Sequence, residues 1–296
     1  MNKKGLTMSL VFEAQSANYG EGMGNIASLK QLSRGDGSSY TYISRQALRY
    51  SIIKQLCWDN TPVKAEGSGD KMVIQFTPDA SIKDYPEIDL FGYMKTRKGQ
   101  KGGALTRNAV VRLSHAISLE SYKADMEFLN NMGLAKRIDA NSNLAQMENH
   151  KSFYAYTITI DLDRVGIETD FEGNVLEEIP NSEKAKRVSD FLNTVKLLYR
   201  DIRGRRENLN PVFVIGGLYE KKNPYFEDRI KLNRNYLDID KLCDAIKIDQ
   251  DAEVNTKIGY HTGTFANDKE IKERFNPVSI GEFFDNIIKE VQAFYG

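Results

Sequence analysis

An α+β fold is what the sequence predicts: a ferredoxin-like core of the RNA-recognition type, interrupted by long insertions. Three observations carry that expectation. Strand-like and helix-like patterns follow the order strand, helix, strands, helix, strand. The segment FYAYTITID at 153–161 alternates aromatic, Thr and Ile side chains in the manner of a pleated surface. The stretch from Tyr40 to Leu56 reads as a capped helix, with Ser44 as N-cap and Leu48, Ile52 and Leu56 forming one apolar stripe.

In chain order, Leu6–Ala14 reads as the first strand, and QSANYGEGMGN after it as a glycine-rich loop. That loop lacks the Lys-Ser/Thr ending of a P-loop and the spacing of a dinucleotide fingerprint. A second loop, LSRGDGSS, leads into the capped helix. Arg45 and Arg49 flank its start, where the macrodipole disfavours cations. A phosphate bound at the helix start would remove that conflict; ion-paired or solvated arginines are the alternative. Residues 58–86 alternate turn and strand pieces, EIDLFGYM reads as a strand, TRKGQKGG as a basic loop, and NAVVRLSHAISL as another strand.

Residues 120–150 admit two readings, a short helix packed on the core or an extended hairpin arm; side-chain chemistry alone favours core packing. Exposed apolar groups on such an arm could instead wedge between bases, at a few kcal/mol per unstacked step. A helix is expected from about 182 to 200, with the basic end LYRDIRGRR at its favourable terminus. PVFVIGGLY reads as a buried strand, and LDIDKLCDAI and SIGEFFDNIIKEVQAFY as the last helices. The tyrosines of 153–161 could stack on bases or lie buried.

With 296 residues, 41% hydrophobic and 28% charged, the chain has ordinary globular composition, which excludes wholesale disorder. Net charge is zero, so polyanion binding requires charge segregated on the surface. Phe91–Arg112 carries Lys95, Arg97, Lys98, Lys101, Arg107 and Arg112 without an acid, whereas Asp238–Glu253 is mostly acidic. A basic and an acidic face could bind a polyanion and also stack copies head to tail; two solvated faces are the alternative. Cys57 and Cys243 are far apart and suit a reducing compartment. No apolar run is long enough to span a membrane, and the start resembles a signal peptide only faintly, so a cytoplasmic location is expected.

SANYGEGMGN, GDGSSYTYISRQALRYSI, DLFGYM, RLSHAIS, ENHKSFYAYTITIDLDRVG and FVIGGLY occur in order from near residue 7 to about 220. Together they resemble the backbone subunit of the type I CRISPR surveillance complex, Cascade, of the RAMP superfamily, and are most similar to its DevR-like, type I-B branch. The resemblance implies a hand-like subunit: palm 1–57, fingers 58–112, a palm strand 113–119, thumb 120–150, and the palm's remainder with C-terminal helices at 151–296. It implies copies stacked as a helical filament along a crRNA guide, holding it for target DNA alongside other Cascade subunits.

Carried over, it puts Ser44, Arg45, Gln46 and Arg49 on the guide backbone. With the glycine loops and the basic stretch, it extends the expected contacts to Asn18, Asn25, Lys95, Arg97, Lys98, Arg107, Arg112, His115, Gly216 and Gly217. It reverses the preference for core packing in 120–150 and makes Met132 and Leu134 the candidate wedges. Such contacts would leave base edges free to pair.

His115, His150 and His261 show no zinc spacing, and no nucleophile elbow is present. No cofactor, metal or catalytic residue is expected. The enzymatic alternative is a metal-dependent endoribonuclease using Asp36, as in related type III backbone subunits; Asp-Gly is also a common turn pair. A protein-only scaffold or regulator on the same fold is the third reading.

Overall fold

The structure is a computed structural model describing residues 4–296 apart from 21, 23, 68, 70–71, 97–103 and 171. Among the described residues an eight-stranded sheet is the centre of the molecule. Its strands are β1 (Gly5–Ala14), β2 (Gln31–Ser33), β3 (Ser39–Ile43), β4 (Val111–Leu113), β5 (Ala116–Ser118), β6 (Ser152–Asp161), β7 (Phe213–Tyr219) and β8 (Lys257–Tyr260). They lie in the order β8-β7-β1-β6-β5-β3-β2, with β4 also on β6, and every pairing is antiparallel. The helices are α1 (Arg45–Leu56), α2 (Pro86–Phe91), α3 (Met132–Ala135), α4 (Asn181–Lys196), α5 (Ile239–Ile246), α6 (Gln250–Asn255), α7 (Asp268–Phe275) and α8 (Ile280–Tyr295).

β1 is central because both of its faces are apolar enough to bury. Leu6, Met8, Leu10 and Phe12 join Tyr154, Tyr156, Ile158 and Ile160 beneath residues of α1, α4 and α8. Val11, with Phe213 and Ile215, meets Tyr225, Phe226, Phe265 and the inner faces of α5 and α7. The rest of this second face is polar, and Ser9 and Thr157 are hydrogen-bonded across it at 2.6 Å. Tyr154 and Tyr156 are buried, which settles their two readings in favour of core tyrosines. Gly216 and Gly217 also belong to the packing. A Cβ at Gly216 would overlap the Thr7 carbonyl and Met8, and one at Gly217 the Asn255 carbonyl.

Several local expectations are corrected. EIDLFGYM is not one strand: Pro86 starts α2, Glu87 and Asp89 favour its first turn, and Gly92 at φ 71° ends it before a short strand begins at Tyr93. NAVVRLSHAISL forms two short strands, β4 and β5, broken at Ser114-His115. LYRDIRGRR is not a helix end. Arg203 and Gly204, at φ 49° and 77°, make the turn of a hairpin pairing Tyr199–Ile202 with Arg205–Asn208. The acidic run is partly engaged within the fold, while Asp240, Asp244 and Glu253 are exposed. Asp238 and Asp249 cap α5 and α6, Asp249 also pairs with Lys221, and Asp251 accepts the Glu220 N–H. No helix among the described residues is long and apolar enough to cross a membrane.

Residues 125–149 form a projecting hairpin, Asp125–Asn130 against Leu144–Asn149, with α3 at its tip. Every position of its outgoing strand is exposed, so the core-packing reading fails. Its root is polar and fixed. The Glu148 carboxylate accepts the Leu29 N–H at 2.8 Å, and its carbonyl accepts the Tyr19 hydroxyl at 3.1 Å. Buried His150 is hydrogen-bonded through Nδ1 to Thr41 at 2.7 Å, with the Tyr122 ring edge-on. Burial holds its imidazole below the ordinary value, against the opposing pull of Glu120 and Asp125.

Between the sheet and the 58–107 insertion lies a buried charge cluster. Asp89 accepts Arg107 at 2.7 Å, Arg187 of α4 at 3.0 Å and the Gly166 N–H at 2.9 Å. Arg187 also donates to the Ile82 and Lys83 carbonyls, and Arg107 to those of Ile167 and Arg164.

Two outcomes are expected. Asp89→Ala removes the carboxylate that two buried guanidinium groups share, leaving Arg187 with Glu183 and Arg107 with the more distant Glu168, and should cost about 3–5 kcal/mol in denaturant unfolding. His150 must bind its proton more readily unfolded than folded. Stability should therefore fall as pH drops below about 6.5, and His150→Gln should flatten that slope between pH 7.5 and 5.5.

Candidate nucleic-acid interface

The uncovered, polar part of the sheet's second face is the floor of a cleft of about 490 Å³, the size class of small-ligand sites. Ser9, Thr157 and Thr159 line the floor; Arg34, Arg45, Arg112 and His115 stand on one side, Lys222, Phe226 and Lys231 on the other. α5, α7 and the 223–237 segment bury the remaining part of that face, which leaves the groove only here.

The start of α1 forms one wall. The Ser44 hydroxyl accepts the Ala47 N–H at 3.2 Å and donates to the Asn18 side-chain oxygen at 2.7 Å. The Arg45 N–H donates to His115 Nδ1 at 3.1 Å. These amides are thus satisfied within the protein, and an anion in the cleft would meet the Arg45 side chain, which is exposed, rather than the backbone of the helix start. Because His115 Nδ1 accepts, the ring proton sits on Nε2. Burial, then the charges of Arg45 and Lys30, hold this imidazole below its ordinary value, so it offers a neutral N–H.

The cleft's cations differ in what already holds them. Arg112 keeps a side chain 45% exposed while making two bonds to Asp161, at 3.0 and 2.8 Å, and Lys222 pairs with Asp163. Among the described residues, Arg34, Arg45 and Lys231 have no carboxylate within ion-pair distance. The first part of the cleft is therefore internally neutralised, and in the second Arg34, Arg45 and Lys231 make no ion pair although Glu227 and Asp228 also line the cleft.

The remaining expected contacts divide sharply. Gln46 is exposed beside Arg45. Arg49 lies outside this cleft, 3.6 Å from Glu87, with its guanidinium 5.0 Å over the Phe91 ring and its side chain 35% exposed. Asn18 is engaged by Ser44 and acts on the cap. Asn25 is exposed at the hairpin root, where its carbonyl accepts the Gln146 N–H. Lys95 is buried, donates to the Ala80 carbonyl and lies 4.0 Å over Tyr93; Arg107 is buried on Asp89. Neither is available to a strand of RNA, and Gly216 and Gly217 are packing residues (above). Arg97 and Lys98 lie outside the described residues. Met132 and Leu134 stand on the hairpin tip, 51% and 60% exposed, with Ile138 beside them at 78%. Asp36 is exposed, and its carboxylate accepts the Ser38 N–H at 2.9 Å in a turn.

Arg34 and Lys231 escaped the sequence reading. Arg34 lay in a loop noted for Asp36 and as the lead into α1, and Lys231 in a third of the chain without a distinctive pattern.

A family model described as CRISPR-associated negative auto-regulator DevR/Csa2 matches residues 6–241. Two solved structures share the fold. One is a chain of a CRISPR RNA-guided surveillance complex, pre-nicking: TM-score 0.62 at 12% identity, over 97% of this chain and 100% of that one. The other, from a CRISPR RNA-guided surveillance complex, has TM-score 0.55 at 15% identity, over 99% and 100%. No curated protein sequence matches the chain. With the family model covering most of its length, this chain belongs to the CRISPR-associated DevR/Csa2 family.

Proposed function

We propose that the protein is a non-catalytic, guide-RNA-binding backbone subunit of a type I-B Cascade complex. In this reading it stacks into a helical filament along the crRNA spacer and holds it for pairing with target DNA. One observation carries the reading: a sheet face with Ser and Thr on its floor, edged by three cations that make no ion pair, Arg34, Arg45 and Lys231, on a molecule that also projects an apolar-tipped hairpin. Such a groove suits a phosphate backbone and ignores base identity.

The remaining parts of the proposal have their own supports. The four-strand order β7-β1-β6-β4/β5, with α1 and α4 on one face, fits a ferredoxin-like palm. Segments 58–112 and 120–150 are then fingers and thumb. Met132 and Leu134 on the tip are placed to wedge between bases of the bound strand. Asp36 as a turn residue favours the non-catalytic reading over a metal-dependent ribonuclease. A polyanion-bound, head-to-tail stack is an open, heterologous assembly.

Purification with the native operon should bring RNA with the wild-type protein. Arg45→Ala should weaken retention of every guide and lower the magnitude of the salt slope by about 0.7, one single-strand phosphate contact. Arg49→Ala should leave that slope unchanged. Protein free of nucleic acid would favour the scaffold reading instead. Met132→Ser with Leu134→Ser should keep RNA retention but suppress the fluorescence of 2-aminopurine placed at flipped positions. The assembled complex, given complementary RNA and magnesium, should make no regularly spaced cuts; cuts abolished by Asp36→Ala would overturn the non-catalytic part.

A further inference from the structure

Two of the cations that make no ion pair reach the cleft from opposite walls. Arg34 stands at the turn between β2 and β3, closed by its own N–H to the Ser38 carbonyl at 2.9 Å and by the Gly37 N–H to its carbonyl at 3.0 Å. Its guanidinium lies 4.5 Å over the Tyr40 ring, which limits its freedom. Lys231 follows buried Ile230 on the far wall, and its carbonyl accepts the Asp238 N–H at 3.0 Å. Both side chains line the same groove.

Electrostatically the pair is unsatisfied. Burial and then the charge of Arg34 hold the Lys231 ammonium below the usual lysine range; Lys241 and Arg229 push the same way, and only Asp228 opposes them. A partly buried ammonium facing an exposed guanidinium of like charge works against folding, and such conflicts concentrate where a ligand resolves them. A guanidinium offers a planar fork to one side of a phosphate, and an ammonium serves the other as a point charge.

We propose that Arg34 and Lys231 form a clasp for a single phosphodiester, so that a bound strand ties the 222–231 wall to the β2–β3 turn across the cleft. This rests on the reading of the cleft as an RNA site. It goes further in naming two residues on one phosphate and in giving the C-terminal wall a closing role.

One phosphate shared by two cations leaves a distinctive mark. The full-length protein is titrated with a fluorescein-labelled, mixed-sequence single-stranded RNA of about 12 nucleotides, sized to outspan one cleft, at several salt concentrations. Arg34→Gln, Lys231→Gln and the double variant are compared with wild type. The double variant should lose about 0.7 of salt slope in all, and its affinity loss should fall short of the product of the two single losses. Arg34→Lys should restore most of the slope. Hydrogen exchange at 222–231 should slow on RNA binding in wild type and not in Lys231→Gln. A double-variant loss of about 1.4, or slopes unchanged in all variants, overturns the clasp while leaving the guide-RNA reading standing. Failure of the wild-type chain to bind the RNA overturns both.

Discussion

Asp89, a carboxylate that never meets water, determines where the whole segment between residues 58 and 107 sits. It takes one guanidinium from that segment, Arg107, and one from the core helix α4, Arg187, and both arginines continue into backbone carbonyls on either side. Charges buried this way add little net stability compared with apolar packing, yet removing one member is costly because the others stay buried and unpaired. Their effect is positional: with five donors in a fixed fork, each arginine admits one relative placement of the elements it joins.

The cleft obeys the opposite rule. Its sheet face carries Ser and Thr where the neighbouring part of the same face carries Val and Phe, so α5 and α7 cover one part and leave the other open. Around the opening some cations are paired with Asp161 and Asp163, and Arg34, Arg45 and Lys231 make no ion pair. On the proposed function, a polyanionic ligand would neutralise these unpaired cations. The projecting hairpin repeats the logic with apolar groups. Its root is fastened by Glu148 and His150, while its tip turns Met132, Leu134 and Ile138 outward.

Much of this was legible in the linear chain. Alternation marked β6, and strand-like apolar content marked β1 and β7, because a strand buried in the sheet core needs few polar side chains. Ser44 and the Leu48–Ile52 stripe marked α1, because capping and burial of one face are local requirements. The ordered family-like segments led to the DevR/Csa2 family that the comparison then matched. Turn chemistry was the weak point: Arg203-Gly204 and Gly92 redirected the chain where propensity favoured continuation.

What sequence alone determined, then, was the principal strands and helices and their order, since these follow from periodicity and local capping, and the family, through its ordered segments. Which charges are free was decided only by tertiary structure. Lys95 and Arg107 read as a basic surface and are buried; Arg34 and Lys231, about two hundred positions apart in the chain, meet at one groove. A charge's availability depends on carboxylates and carbonyls brought near by folding, and no pattern of neighbours along the chain encodes that.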